Sequence, residues 1–579
     1  MRLSGTKATA IHQYRGLGSQ LWDLAGVRPS LDLPFADQKS LIDATTGSNL
    51  VDFTRASSGT YVGSDGLIKT ATTNLLLQSE DLTVSPWSTA GSVAITADSS
   101  QGVPFSGASV YKIEFSGADE SVNQVFTYLA TQYTASIWLK GTPGEVIRFS
   151  GKTGQAADNF TLNGTWQRLA FVGFTAIAGA ANFALNTFGA ATARVIYVAA
   201  PQLEQSTTVG EYIPTTTAIN SAPRFDHDPT TGESLGLLVE ESRTNLLQRS
   251  EEFDDAYWTA NNCTILPNDA VSPAGTITAE KQTHTGNGPR ISKPAAATVI
   301  ANSGFTFSFF AKAGTSSYAA VSIYDGTVRG NRFWFNIATG AVGGIVSIAG
   351  GYPSASSEIE AFPNGWYRCI CTITNGSNTT VTIDGIGVCL DTNGQLTPAV
   401  SGVYGYVWGA QLEAGSFPTS YIKNVDAVLG TIRAADVASD TSTGADIRTL
   451  YARFRSPASG TRPIASLDDN TANERIELLT SGTDPKLLVT DGGSAVADLD
   501  AGTITVGTSA KLVARFATDN YAAAVNGETP QADTGGTLPT VDRLRIGSNQ
   551  AGDYFNGTIA RLTGWSTSLP DETLRLTTG

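Results

Sequence analysis

Apolar and polar residues alternate along short runs of this chain, with a period of two residues. The clearest run covers residues 133–140, where one set of alternating positions is apolar: Tyr133, Ala135, Ile137 and Leu139. This period is typical of a β-strand with one apolar face. Asn-Gly pairs at 163–164 and 364–365 mark turns between such runs. Many short strands separated by turns predict an all-β fold of tandem β-sandwich (jelly-roll) domains.

The strand pattern occurs twice along the chain. The sequence TNLLLQSE at 73–80 returns as TNLLQRSE at 244–251, an offset of 171 (245 − 74). Gln-Leu-Glu closes both copies, at 202–204 and 411–413, where the offset has grown to 209 (411 − 202). A growing offset indicates loop insertions between fixed strands. The sequence therefore predicts one module at 73–215 and a second at 244–425.

The rest of the chain divides by composition. Residues 1–30 carry Leu17, Leu21 and Trp22 without β alternation, which predicts a short non-β anchor. Residues 31–72 and 216–243 are rich in Asp, Gly, Ser and Thr and are interpreted as connectors. Residues 426–579 contain further alternating runs and predict a third sandwich.

Composition narrows the classes of function. Only 15% of the 579 residues are charged, and the net charge is −15, without a cluster of Lys and Arg. This disfavours nucleic-acid binding, which needs such clusters, and suits neutral ligands such as glycans. No apolar run reaches the 18 residues of a membrane span, and no signal peptide follows Met1. The four cysteines, at 263, 369, 371 and 389, are expected to be small buried hydrophobes.

Several motifs resemble virion proteins of tailed bacteriophages. They are FTRASSGTYV at 53–62, PRFDHDP at 223–229, GLLVEE at 236–241 and RAADVA at 433–438. The doubled module is similar to jelly-roll carbohydrate-binding modules, and residues 426–579 resemble laminin-G or concanavalin-A-like sandwiches. The resemblance implies a fibre or spike subunit on the virion surface, made in the bacterial cytoplasm. Its implied partners are host-surface polysaccharide, other virion proteins through the N-terminus, and further copies in a homotrimer.

Sugar-binding modules stack pyranose rings on exposed aromatic side chains. Trp138 and Phe310 lie on the polar side of their predicted strands, which makes them candidate glycan platforms. Trp334 and Trp408 occur in the second copy only and are further candidates. The alternative is that a neighbouring loop or protomer covers these rings.

Four carboxylates recur at the ends of the modules: Glu80, Glu204, Glu251 and Glu413. Jelly rolls of this type often hold a structural Ca²⁺ through oxygen ligands, so these residues are candidate ligands. The alternative is that they are surface carboxylates or form salt bridges. No cofactor is required by any motif.

The sequence carries no G-x-S-x-G nucleophile motif and no phosphate-binding loop, and we interpret the protein as a non-enzymatic adhesin. Two alternatives stay open: a glycan-depolymerising tailspike, whose paired carboxylates sequence does not reveal, and a capsid decoration without ligand.

Overall fold

The computed structural model describes residues 18–150, 158–187, 193–286, 288–326, 329–389, 401–424 and 430–579, with the side chains of 18–20 and 389 left aside. The chain is all-β, with 52% strand and 4% helix. The all-β prediction is confirmed. The chain divides into two compact units: one contains Thr54–Ser58 and Thr70–Ala222, and the other contains the described parts of Met1–Phe53, Gly59–Lys69 and Pro223–Gly579.

The segment before the first module contains two short helices and four short strands. They are α1 Gly18–Ala25, β1 Leu31–Leu33, α2 Phe35–Gln38, β2 Asp52–Thr54, β3 Thr60–Val62 and β4 Ile68–Thr70.

The first module consists of antiparallel strands in two five-stranded sheets, in the orders β13-β10-β15-β8-β7 and β12-β11-β14-β9-β6. Its strands are β5 Thr73–Asn74, β6 Ser88–Ala90, β7 Val93–Ala97, β8 Val110–Phe115, β9 Ser121–Tyr128, β10 Gln132–Gly141, β11 Val146–Ser150, β12 Asp158–Thr161, β13 Gln167–Thr175, β14 Gly179–Asn186, β15 Arg194–Glu204 and β16 Asn220–Ser221. One core joins both sheets, with Ile137 of β10 and Phe149 of β11 among its members.

Two strands lie between the modules, β17 Arg224–His227 and β18 Ser234–Val239. The second module then forms two six-stranded sheets, in the orders β20-β23-β30-β25-β26-β27 and β21-β22-β31-β24-β29-β28. Its strands are β19 Arg243–Asn245, β20 Thr259–Asn261, β21 Cys263–Val271, β22 Ile277–His284, β23 Arg290–Thr298, β24 Gly304–Ala313, β25 Tyr318–Tyr324, β26 Gly330–Asn336, β27 Ala341–Ile348, β28 Ser354–Phe362, β29 Trp366–Thr374, β30 Thr380–Cys389, β31 Tyr404–Ala414 and β32 Thr431–Arg433, with a 3₁₀ turn at Pro363–Gly365.

The C-terminal region forms a third two-sheet sandwich. Its elements are β33 Val437–Asp440, a 3₁₀ turn at Gly444–Asp446, β34 Thr449–Arg455, β35 Arg462–Asp468, β36 Arg475–Ser481, β37 Asp484–Asp491, β38 Ser494–Asp500, β39 Ser509–Ala517, β40 Asn520–Val525, β41 Gln531–Asp533, β42 Arg543–Ile546, β43 Gly557–Trp565 and α3 Asp571–Thr578. One sheet has the order β17-β18-β43-β34-β39-β40-β41, with β1 also on β43, and the other has the order β2-β33-β42-β35-β36-β37-β38.

The two stretches interpreted as connectors do more than join modules. β1 and β18 both pair with β43, and β2 extends the opposite sheet. Leu31, Leu33 and Leu237 lie in the core of the C-terminal sandwich. The connector interpretation missed this role, because strands of three to six residues carry too little alternation to be recognised in sequence.

The second half of the predicted anchor at 1–30 packs on a folded domain. Residues 1–17 lie outside the described residues, but α1 packs Leu21 and Ala25 against Tyr451, Trp565 and Leu574 of the C-terminal sandwich. The helix α1 is therefore part of a folded domain, and an anchoring role for residues 1–30 stays a prediction.

The repeat is confirmed by matched buried hydrogen bonds. Asn74 donates to the carbonyls of Pro201 and Ile213, and its Oδ1 accepts from the N–H groups of Leu76 and Leu203. The same four bonds recur around Asn245, to the backbones of 410, 422, 247 and 412. A buried asparagine that satisfies four backbone groups ties the first strand to the last in both copies.

The main insertion in the second copy consists of strands, although a loop was expected. β27 and β28 have no counterpart in the first module and add one strand to the edge of each sheet. They occupy the region in which the sequence offset grows. The three cysteines with described side chains, Cys263, Cys369 and Cys371, are buried and unpaired, as expected.

Candidate functional site: an aromatic face on the second module

Strand β26 directs two kinds of side chain to its two faces. Phe333 and Phe335 are fully buried in the module core. Arg332 and Trp334 alternate with them and are half-buried on the opposite face. The outer face of the sheet β20-β23-β30-β25-β26-β27 therefore carries an aromatic ring and a cation side by side.

Trp334 lies over a β-bulge of two glycines. Phe333 pairs with Ile345 and Phe335 with Val342, so the single residue between them faces both Gly343 and Gly344 on β27. A Cβ at Gly343 would come within 2.1 Å of the indole, and one at Gly344 within 3.1 Å of its Nε1. Because glycine has no side chain, the indole can lie against the backbone of β27. Bulges of this kind re-aim side chains beside functional sites.

Polar groups and a second ring flank this indole. Tyr318 of β25 meets Trp334 edge to face, with ring centroids 5.9 Å apart. Arg332 donates from Nε to the hydroxyl of Ser322 at 3.0 Å. On the neighbouring strand β30, Asp384 lies opposite Ser322 in the backbone register. A flat ring with adjoining hydrogen-bonding groups is the composition that sugar-binding surfaces use.

The matching face of the first module is different. Its outward side chains on the described parts of β9, β11, β12 and β14 are aliphatic or polar: Asn123, Val125, Arg148, Asn159, Asn182 and Asn186 among them. No aromatic side chain points outward from these described strands, because Phe160 and Phe183 pack in the core.

Two of the four predicted platform residues are buried, which contradicts the expected exposure. Phe310 and Trp408 are each 1% exposed. The alternation was correct, since Phe310 lies on the face of β24 opposite the main core. A second apolar cluster covers that face with Ile68, Phe362 and Trp366. Trp408 also donates its N–H to Thr278 Oγ1 at 3.1 Å. These rings hold the fold together and cannot stack on a ligand.

Trp138, the counterpart of Phe310, is half-buried. It packs beside Val110, Ala199 and Ala200, and meets Phe105 edge to face at 6.3 Å. The difference lies on the neighbouring strand: Trp138 faces Ala199, whereas Phe310 faces the much larger Trp408. Trp138 stays a weaker candidate than Trp334, because loop residues cover part of its ring.

The four candidate Ca²⁺ ligands are engaged inside their own modules. Glu80 accepts a short hydrogen bond from the hydroxyl of Tyr212. Glu204 accepts from Gln202 at 3.2 Å, and its burial raises its pKa.

The second copy repeats this arrangement. Glu251 accepts from Tyr421 at 3.1 Å, and Glu413 accepts from Gln411 at 2.8 Å and from the Thr419 hydroxyl at 2.7 Å. Within the described residues, no three His, Cys, Asp or Glu side chains come together as a metal site.

A cavity of about 660 Å³ lies beside the second module and is lined by β3, β17, β28 and the C-terminal sandwich. Asp226 accepts the N–H of Val62 at 2.6 Å, and burial raises the pKa of this carboxyl to about 7. His227 is 5% exposed and contacts the carbonyl of Val62 through Nδ1 at 3.0 Å.

A network of buried ion pairs lies next to this cavity, which Glu240 helps to line. Arg224 binds Glu240 at 2.7 Å and also contacts Asp436, and Arg433 contacts Glu240 as well. Burial alone would raise the pKa of Glu240, but the two arginine charges outweigh it and lower the pKa to about 2. All four residues belong to the motifs that resemble phage virion proteins. In the structure, those motifs therefore form buried ion pairs that connect β17 and the end of β18 to the segment before β33.

The sequence pattern indicated Trp334 but not Tyr318 or Arg332. The alternation around Phe333 and Phe335 could have placed Arg332 outward, and the glycine pair at 343–344 signals a close approach to the backbone. Tyr318 became recognisable only from the pairing of β25 with β26.

No family model matches the sequence, and no curated protein matches it. Among solved structures, the tandem CBM22-1–CBM22-2 domain of Paenibacillus barcinonensis Xyn10C is 12% identical, covers 60% of this chain and 98% of its own, and has a TM-score of 0.21. Domains LG4-5 of the mouse laminin α1 chain are 9% identical, cover 57% of this chain and 92% of their own, and have a TM-score of 0.18. Trypanosoma rangeli sialidase in complex with sialic acid is 12% identical, covers 86% of this chain and 98% of its own, and has a TM-score of 0.21. TM-scores of this size support no conclusion about function.

None of the described helices is both long and apolar enough to span a membrane.

Proposed function

We propose that this protein is a non-enzymatic adhesion subunit of a phage virion surface, which binds host-surface glycans through the outer face of its second module. The observation that carries the proposal is Trp334 lying over the Gly343–Gly344 bulge beside polar side chains. The fixed indole offers a sugar ring an apolar surface, and the half-buried Arg332 and Asn336 offer hydrogen bonds on the same face.

The virion location rests on the motif resemblance at 53–62, 223–241 and 433–438. In this proposal residues before α1 bind other virion proteins, and the subunit is a homotrimer. Three weak glycan sites on one particle would gain avidity without new contacts. Light scattering of the purified chain tests the trimer, and a monomer would contradict it. Labelled antibody on particle images tests the location.

The glycan site is tested by Trp334→Ala in the full chain. Retention on immobilised host polysaccharide should fall about tenfold, because one stacked ring is worth roughly 1–3 kcal/mol. Thermal stability should change little, since the ring lies outside the module core.

Trp138→Ala is the matched control, because it removes another half-buried indole from the same kind of module. It should leave retention unchanged. Equal binding by wild type and Trp334→Ala would overturn the proposal, and no retention of wild type on any host polysaccharide would favour a capsid decoration.

A depolymerase is the second candidate, and one observation favours it. Asp226 borders the cavity, and its carboxyl group has a pKa of about 7. A pKa in this range suits the general acid of glycoside hydrolysis. Incubation with host polysaccharide, followed by size-exclusion chromatography, decides between the two. Chain shortening that Asp226→Asn abolishes would establish the enzyme and contradict the proposal of a non-enzymatic adhesin.

A further inference from the structure

Arg332 lies next to Trp334 on the outer face of β26. The two residues are two positions apart, so their Cα atoms are about 7 Å apart on one side of the strand. Val346 of β27 flanks Arg332 on one side and Ser322 of β25 on the other. The guanidinium therefore adjoins the indole, within reach of a ligand that stacks on the ring.

This arginine has no carboxylate partner among the described residues. Its hydrogen bond is the one from Nε to Ser322 Oγ at 3.0 Å, which orients the group and leaves its two terminal nitrogens for another acceptor. The acid on the same face, Asp384, is already bound by Arg290 at 2.9 Å. The described outer face thus carries two arginines and one aspartate, in a chain whose net charge is −15.

We infer that the glycan bound at this face is acidic, with a sugar carboxylate held by Arg332 while the sugar ring stacks on Trp334. The inference rests on the proposed function and specifies its ligand class. A planar guanidinium with two free N–H groups matches a carboxylate in the two-pronged geometry that arginine favours. A neutral sugar would offer this guanidinium only hydroxyl oxygens, which accept a weaker hydrogen bond than a carboxylate does. Because the molecule as a whole is acidic, attraction of an anionic ligand has to be local.

The test uses a glycan array printed in matched pairs: uronic acids beside the corresponding hexoses, sialylated glycans beside their desialylated forms, and phosphorylated glycans beside unphosphorylated ones. Wild type should bind the carboxylated member of at least one pair about tenfold more tightly than its neutral partner, as expected for a hydrogen bond to a charged group. The preference should weaken as salt rises.

Two substitutions at Arg332 sharpen the result. Arg332→Gln should remove the preference for the acid while leaving the weak binding of neutral members in place. Arg332→Lys should restore part of the preference, because it returns the charge without the planar geometry. Trp334→Ala should reduce binding to both members of each pair.

The outcomes separate the two proposals. If neutral members bind as well as acidic ones and Trp334→Ala weakens both, the acidic-ligand inference fails and the glycan face stands. If no glycan binds in a Trp334-dependent way, both fail. A preference that survives Arg332→Gln, or that favours phosphorylated over carboxylated glycans, also overturns the inference.

Discussion

The first and second modules share a buried frame and differ on the outer face of one sheet. In both copies an asparagine, Asn74 or Asn245, holds the terminal strands together with the same four hydrogen bonds. The outer face of the second copy carries Trp334, Tyr318 and Arg332, whereas the described outer face of the first carries Arg148, asparagines and aliphatic side chains without an outward aromatic ring. Residues that repeat between the copies maintain the fold, and the residues that do not repeat are the ones that can confer a binding specificity.

Phe310→Ala should produce the largest effect, by destabilising the second module by about 3–5 kcal/mol. The ring is fully buried and packs against Phe362 and Trp408 at centroid distances of 5.1 and 5.3 Å. Trp138→Ala, at the matching position of the first module, should cost only about 1 kcal/mol, since that ring is half-buried. Hydrogen exchange in peptides from β24 and β10 measures each module within the full chain. Equal costs would break the contrast between the two copies.

Asn74→Ala and Asn245→Ala should each destabilise their own module by about 3 kcal/mol. Each change leaves two carbonyls and two N–H groups buried without partners, and such groups cost about 1–3 kcal/mol apiece before the structure relaxes. Exchange should accelerate at β5 in one variant and at β19 in the other. A large cost in only one copy would mean that the shared frame is not energetically equivalent.

The pH dependence of stability should also differ between the copies. Burial first, and the nearby carboxyl of Asp254 second, raise the pKa of Glu280 to about 9 from an ordinary value of 4.5. The folded second module therefore binds more protons than the unfolded chain between these values, so its stability should fall as pH rises, by at most about 1.4 kcal/mol per unit. The matching position in the first module is Tyr111, whose pKa burial raises to about 12, so it stays neutral over this range.

Glu280→Gln should remove this dependence, because glutamine fills the same space and does not titrate. Calorimetry of the full chain from pH 5 to 9 would then show the transition of the second module losing its slope, while that of the first module is unaffected. An unchanged slope in the variant would assign the dependence to another group.

The period-two pattern predicted the strands and their two faces, but it could not show what covers each face. It correctly placed Phe310 away from the main core of its module. Ile68, more than 200 residues earlier, and Phe362, on an inserted strand, then bury that ring in a second layer. Such long-range packing leaves no local trace in sequence.

The same limit applied to the functional face. Trp334 was one candidate among four, because its distinguishing feature is the opposing Gly343–Gly344 bulge. That juxtaposition depends on the register of β26 with β27, which the sequence pattern leaves undetermined.

The smallest expected effects come from the two glycines beneath Trp334, and they form a graded pair. A methyl group at Gly343 would lie 2.1 Å from the indole and 2.4 Å from the Trp334 carbonyl oxygen, so Gly343→Ala should lift the ring off the strand and also displace β27 from β26 at the bulge. A methyl at Gly344 would meet the indole Nε1 at 3.1 Å and its other nearest atoms at 3.7 and 3.9 Å, a contact that a slight shift relieves. Gly343→Ala should therefore weaken glycan retention about threefold, roughly 0.7 kcal/mol, and Gly344→Ala should leave it nearly unchanged. Equal retention by the two variants and wild type, measured on the same immobilised polysaccharide, would show that the flat seating of the indole is irrelevant to binding. The first module has no pair of adjacent glycines under an outward ring in its described strands, so this pair of variants tests directly whether the inserted strand β27 gave the second copy its binding face.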